Sequence, residues 1–145
     1  YETVRALSDA GVPVTVMAAP IIPTLNEAEL ERLLETAKEH GATGAGYVLL
    51  RLPHELKDIF HDWLTQHYPD RAARVINLLR EMRGGKDYDA EWFARGAGQG
   101  AHAKLIANRF VRTARRLGLA PQRTPLRTDL FQPPVLRGDQ YRMDL

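Results

Sequence analysis

The sequence predicts an α/β fold: the last two strand–helix units of a partial (β/α) barrel, followed by a helical C-terminal extension. Two observations carry this. The stretch Val12 to Pro53 reads as strand, helix, strand, and the rest of the chain to Leu119 shows helical periodicity alone. Two strands joined by a crossover of helical length are parallel neighbours in one sheet. One such unit closes no barrel, so the chain is expected to be the C-terminal piece of a larger protein. The expected organisation is a barrel portion over 1–53, a helical extension over 54–119 and an extended tail over 120–145.

The first element, Glu2 to Ala10, is a helix with Val4, Leu7 and Ala10 on one face, stopped by Gly11. Val12-Pro13-Val14-Thr15-Val16-Met17-Ala18-Ala19 is a strand apolar on both faces, the pattern of a parallel strand covered by helices. It ends in Pro20-Ile21-Ile22-Pro23, a stiff loop with free carbonyls, since proline fixes φ and removes a donor. Asn26 is placed to cap the next helix, with Glu29 reaching back to it and Leu25 and Leu30 forming a staple. Leu30, Leu33, Leu34 and Ala37 form the stripe that packs on the sheet, while Glu27, Glu31, Glu35 and Glu39 take the solvated side. Gly41 ends the helix, and Ala45-Gly46-Tyr47-Val48-Leu49-Leu50 is the second strand, closed by Arg51-Leu52-Pro53.

Beyond Pro53, Leu56, Ile59, Phe60, Trp63 and Leu64 mark one amphipathic helix ended before Pro69. Val75, Ile76, Leu79 and Met82 mark a second, ended by Gly84-Gly85. A loop from Lys86 to Gly100 comes next, with Tyr88, Trp92 and Phe93 as anchors to the core. A third helix runs from about Ala101 to Leu117, with Ile106, Phe110, Thr113 and Leu117 inward.

The chain of 145 residues contains no cysteine, which excludes a disulfide, a thiolate zinc site or an iron–sulfur cluster held by this chain alone. No apolar run approaches the roughly 20 residues that span a bilayer, and no basic-then-apolar leader is visible, so a cytoplasmic origin is expected. The five histidines show no metal-ligand spacing. The net charge of +2 conceals a division: residues 1–70 carry 5 Lys/Arg against 11 Asp/Glu, and residues 71–127 carry 13 against 4. A basic half either faces a polyanion or pairs with the acidic half. Arg109, Arg112 and Arg116, with Arg115 beside them, are the candidates for contact with nucleic acid.

Arg51 is the leading candidate for a ligand site. It comes directly after an apolar strand, and in barrels the C-terminal strand ends carry the chemistry. Its planar fork suits a carboxylate or a phosphate. The alternative is an ion pair with a neighbouring helix, near Glu55 or Asp58. Gly96-Ala97-Gly98-Gln99-Gly100 precedes a helix and forms either an anion nest or a linker.

The run from Gly11-Val12-Pro13-Val14 through Met17-Ala18-Ala19-Pro20-Ile21-Ile22-Pro23, with Asn26-Glu27, resembles a late-barrel strand of radical S-adenosylmethionine proteins. The closer resemblance is to the spore photoproduct lyase-like, or DNA repair photolyase, branch. Gly46-Tyr47-Val48-Leu49-Leu50-Arg51-Leu52-Pro53 resembles the next strand of that branch. Met82-Arg83-Gly84-Gly85-Lys86-Asp87-Tyr88-Asp89 and the helix Leu105 to Gly118 resemble the post-barrel segments of the same branch. The resemblance implies a 4Fe-4S cluster on a Cys-x-x-x-Cys-x-x-Cys loop, expected upstream of Tyr1, that cleaves S-adenosylmethionine to a 5′-deoxyadenosyl radical. It implies that Pro20, Ile21 and Ile22, with Leu50, Arg51 and Leu52, lie along the adenosine of that cofactor. The resemblance implies the remaining N-terminal barrel as a partner; the basic half points to nucleic acid, and the open edge of two parallel strands to a second copy.

Overall fold

The computed structural model describes residues 1–85, 98–119, 129 and 131–132. The loop aromatics Tyr88, Trp92 and Phe93, the glycine-run residues Gly96 and Ala97, and nearly all of the expected tail lie outside them. Helix α1 spans Glu2–Asp9 and strand β1 spans Thr15–Ile21. A 3₁₀ turn, Glu27–Glu29, leads into α2, Leu30–Glu39. Strand β2 is Gly44–Leu49, and three helices come after it: α3, Leu56–His67, α4, Pro69–Glu81, and α5, Gly100–Arg116. The fold is mixed α/β, with a two-stranded parallel sheet in which Thr15 pairs with Gly44 and Ile21 with Leu49.

The expected helical stripes form the core. Leu30, Leu34 and Ala37 of α2 are buried against β1, and Leu34 is fully covered. Ala103, Ile106, Phe110, Thr113 and Ala114 of α5 are buried, and the Phe110 ring meets Tyr47 of β2 at 4.8 Å. Burial there pushes the Tyr47 phenol above its ordinary pKa. Val75, Ile76 and Leu79 of α4 and Leu64 of α3 complete the apolar cluster. Gly11 and Gly41 end their helices with φ of 76° and 94°, as a left-handed C-terminal residue does. Pro69 opens α4 at its first position, where a missing N–H costs nothing, so one residue, Tyr68, separates α3 from α4.

Four expectations are corrected. The strands are not covered on both faces by the described residues: Val16, Ala18 and Ile21 face the core, while Thr15, Met17 and Ala19 are exposed. Helices α2 and α5 both pack on the same side of the sheet, which leaves the other side without a helix among the described residues. Asn26 does not cap a helix. Its Oδ1 accepts from the Ile22 amide at 2.7 Å, and its Nδ2 donates to the Pro20 carbonyl at 3.0 Å. The loop therefore does not keep its carbonyls free: the side chain closes a turn across Pro20–Ile22, and α2 begins through a 3₁₀ turn instead. The glutamates of α2 are not a merely solvated face, since Glu31 and Glu35 pair with arginines of α5.

The apolar faces of α1 and α3 are only partly covered by the described residues. Val4 packs on the core, but Leu7 is exposed. On α3, Leu56, Ile59 and Trp63 are exposed, and Trp63 stacks on Phe60 and touches His67 and Tyr68.

Candidate functional site

A cleft of about 510 Å³ opens at the C-terminal ends of both strands. Ala19 and Val48 enter it from the side of the sheet that carries no helix, and Pro20, Leu50, Arg51 and Pro53 line its rim. Position comes from parity. Successive side chains of a strand alternate, so Ala19 and Val48 lie opposite Ala18 and Leu49, which are buried beneath the helices. The irregular register between Ala18 and Ile21, where the Ala19–Pro20 peptide is cis, falls at this strand end. The Leu50 amide still donates to the Ile21 carbonyl at 2.9 Å, so the two strand ends stay tied.

Of the six residues expected along the adenosine, Pro20, Leu50 and Arg51 share this cleft. Ile21 and Leu52 are 3% and 7% exposed and belong to the core, Leu52 beneath α3 and α4. Ile22 packs partly on that core, with its amide held by Asn26. Leu50 and Arg51 are neighbours in the chain and both line the cleft, so its rim is made by the turn after β2 and not by strand alternation alone. Arg51 is exposed and makes no ion pair with Glu55, Asp58 or any other described residue. Among the described residues, its guanidinium is the one cationic group on the cleft lining.

Two strand-end loops carry a non-glycine residue at positive φ, Thr24 at 60° and His54 at 49°. Such residues persist where the surroundings over-determine them, and they gather at ligand sites. The Thr24 hydroxyl is buried without a hydrogen-bond partner among the described residues.

The candidate nucleic-acid face divides in two. Arg109 Nε donates to Glu31 Oε1 at 2.8 Å and its Nη2 to Glu31 Oε2 at 2.7 Å, a bidentate pair. The same Nη2 donates to the Glu27 carbonyl at 2.8 Å. Arg116 pairs with Glu35 at 2.6 Å, and His102 Nε2 lies 2.7 Å from Glu27 Oε2. The Arg109 guanidinium holds the Glu31 carboxyl below its ordinary range, and Glu31 in turn raises Arg109. Part of the basic half is thus neutralised by the acidic half. Arg112 and Arg115 are exposed and make no ion pair among the described residues; they line a shallow groove with Thr113 and the paired Arg109 and Arg116.

Sequence reasoning missed this ladder, although its spacing is visible: Glu27, Glu31 and Glu35 recur every four residues, His102, Arg109 and Arg116 every seven. It also missed Arg83, which is 4% exposed and donates to the Leu50 carbonyl at 3.0 Å. The glycine run shows no open nest where it is described. The Gln99 amide is spent on the Met82 carbonyl at 2.9 Å, and Gly98 packs on Leu49. Among the described residues no cluster of His, Asp or Glu has the arrangement of a metal site, and no helix is long and apolar enough to cross a membrane.

No protein-family profile matches the chain, and no solved structure matches it. Over 79 residues it is 32% identical to the uncharacterized protein Rv2578c of Mycobacterium tuberculosis strain H37Rv. The same identity over the same length links it to the uncharacterized protein Mb2609c of Mycobacterium bovis. The match takes in 53% of this chain and spans 23% of the length of each of those relatives.

Proposed function

We propose that this chain is the C-terminal part of a radical S-adenosylmethionine enzyme similar to spore photoproduct lyase, made of the last two strand–helix units of its partial barrel and a helical extension. The observation that carries the reading is the one-sided sheet. Among the described residues, helices on one face, none on the face opposite and a cleft at the C-terminal ends of both strands are what a segment of barrel wall presents. The choice of chemistry rests on the resemblance of the strand-end sequences alone.

The residues present fit the two implied groups unequally. With no cysteine, this chain supplies no ligand to a 4Fe-4S cluster, and no step through one is derived. S-adenosylmethionine fits in part: Pro20 and Leu50 offer an apolar wall, and the unpaired Arg51 offers a fork for a carboxylate. When bound, that cofactor would supply the radical; this chain's residues would hold and orient it. Nucleic acid as substrate finds its support in Arg112 and Arg115, which keep their charges free of any described partner.

The longer protein to which we assign this chain is tested by reconstitution with iron and sulfide, followed by S-adenosylmethionine titration. It should take up a cluster, bind the cofactor, and lose roughly tenfold in affinity with Arg51→Ala, the loss of one charge-assisted hydrogen bond. A longer protein that holds no iron overturns the reading and favours a binding module without redox chemistry.

A further inference from the structure

The end of β2 is held from behind by an arginine that the cleft does not contain. Arg83 lies just past the last turn of α4, where an arginine as buried as this one requires its guanidinium to be engaged. One of its hydrogen bonds runs from Nη2 to the Leu50 carbonyl. Leu50 is the first residue past β2, and its amide donates to Ile21. Both polar groups of Leu50 are therefore fixed, the N–H by β1 and the C=O by Arg83. The peptide unit that joins Leu50 to Arg51 contains that same carbonyl. Its tilt sets the direction in which Arg51 leaves the backbone.

The surroundings are built to keep Arg83 in place. The Gly85 amide donates to the Arg80 carbonyl at 2.8 Å, and Gly84 and Gly85 take φ of 64° and 85°, so the chain turns away directly after Arg83. From the other side, a Cβ on Gly98 would stand 2.7 Å from Leu49 Cδ1 and 3.3 Å from the Met82 carbonyl oxygen. The turn after α4 and the lead into α5 thus close on Leu49 and Leu50 together.

We propose that Arg83 is a positioning residue for the strand-end cleft: it fixes the Leu50–Arg51 peptide and so aims the Arg51 guanidinium at an anionic group of whatever ligand sits against Pro20 and Leu50. This rests on the proposed function, in which the cleft is a binding site. The Met-Arg-Gly-Gly run then serves as a buttress, its arginine side chain holding the end of β2.

The test separates the two claims. Backbone hydrogen exchange is measured in Arg83→Lys, which keeps the charge and loses the fork, and in Gly98→Ala, which pushes Leu49 without touching Arg83. In both variants the Leu50 amide, which donates to Ile21, should exchange at least about tenfold faster while α2 amides keep their protection, the loss expected of one charge-assisted hydrogen bond. Titration with S-adenosylmethionine, and separately with inorganic phosphate, should then show Arg83→Lys as weak as Arg51→Ala, with the double variant no weaker than either. Unchanged exchange at Leu50 in Arg83→Lys overturns the proposal, as does an additive double variant. If Arg83→Lys unfolds globally, Arg83→Met, which fills the same space without a donor, takes its place, and unchanged exchange at Leu50 in that folded variant overturns the proposal. Faster exchange in the variants, beside a wild-type protein that binds neither probe, leaves Arg83 holding the peptide and overturns the ligand reading of the cleft.

Discussion

Replacing Arg109 by alanine removes two parallel hydrogen bonds to Glu31 and one to the Glu27 carbonyl, the central rung between α2 and α5. The two side chains are 28% and 34% exposed, so solvent screens the pair less than a surface one and more than a buried one. Exposed pairs contribute up to about 1 kcal/mol, and hydrogen bonds to charged groups about 1.5–3, which puts Arg109→Ala at about 2 kcal/mol. In a cycle with Glu31→Ala, the coupling should be about 1 kcal/mol at neutral pH. The sign with pH comes from Glu31, whose carboxyl is held below its ordinary value of 4.5. The unfolded chain takes up the proton first as pH falls, so the contribution is full above that ordinary value. It is lost as pH falls through the lowered folded one. Urea midpoints at constant m for the four proteins, at neutral pH and at about pH 3, measure this. A coupling under about 0.3 kcal/mol at neutral pH, or one undiminished in acid, refutes the ladder as a source of stability.

Leu34→Ala empties a fully buried site between α2 and the sheet and should cost about 3 kcal/mol, read as a lower urea midpoint with unchanged m. Asn26→Ala removes both hydrogen bonds across Pro20–Ile22; it should cost about 1–2 kcal/mol and speed amide exchange at Ile22, with α5 unaffected. For nucleic acid, Arg112→Ala and Arg115→Ala should each lower the salt slope of DNA or RNA binding by about 1, while Arg116→Ala, whose charge is shared with Glu35, should lower it less. Equal slopes for all three and for wild type leave the face as solvated surface.

The local elements were legible because their signals are local. The stripe Leu30, Leu33, Leu34, Ala37 and the stripe Ile106, Phe110, Thr113 predict helices α2 and α5 and the faces they bury. Parallel pairing could be read from the crossover length. What failed depends on neighbours distant in sequence. Nothing near Glu31 announces that Arg109, 78 residues on, will meet it. Asn26 has the residue type of a cap, but a turn on its N-terminal side competes for the same amide oxygen and wins. The strand-end site was half legible. Arg51, Leu50 and Pro20 share the cleft, whereas Ile21 and Leu52 share their sequence neighbourhood and not their face.

The helix-free side of the sheet also has a relief. Its positions are Thr15, Met17 and Ala19 on β1 and Gly44, Gly46 and Val48 on β2. Two of the six have no side chain, and a Cβ on Gly46 would stand 2.5 Å from Met17 Sδ, so the methionine already occupies the space above that glycine. A core strand of Val, Ile and Leu would raise a ridge here; instead the side chains of Thr15 and Met17 lean from β1 across the two glycines of β2. Whatever lies against this side meets the Met17 side chain first, with Ala19 and Val48 beyond it at the strand-end cleft. Gly46→Val would therefore have to push Met17 off its place above β2, a rearrangement confined to this side of the sheet and leaving the helical side of the molecule untouched.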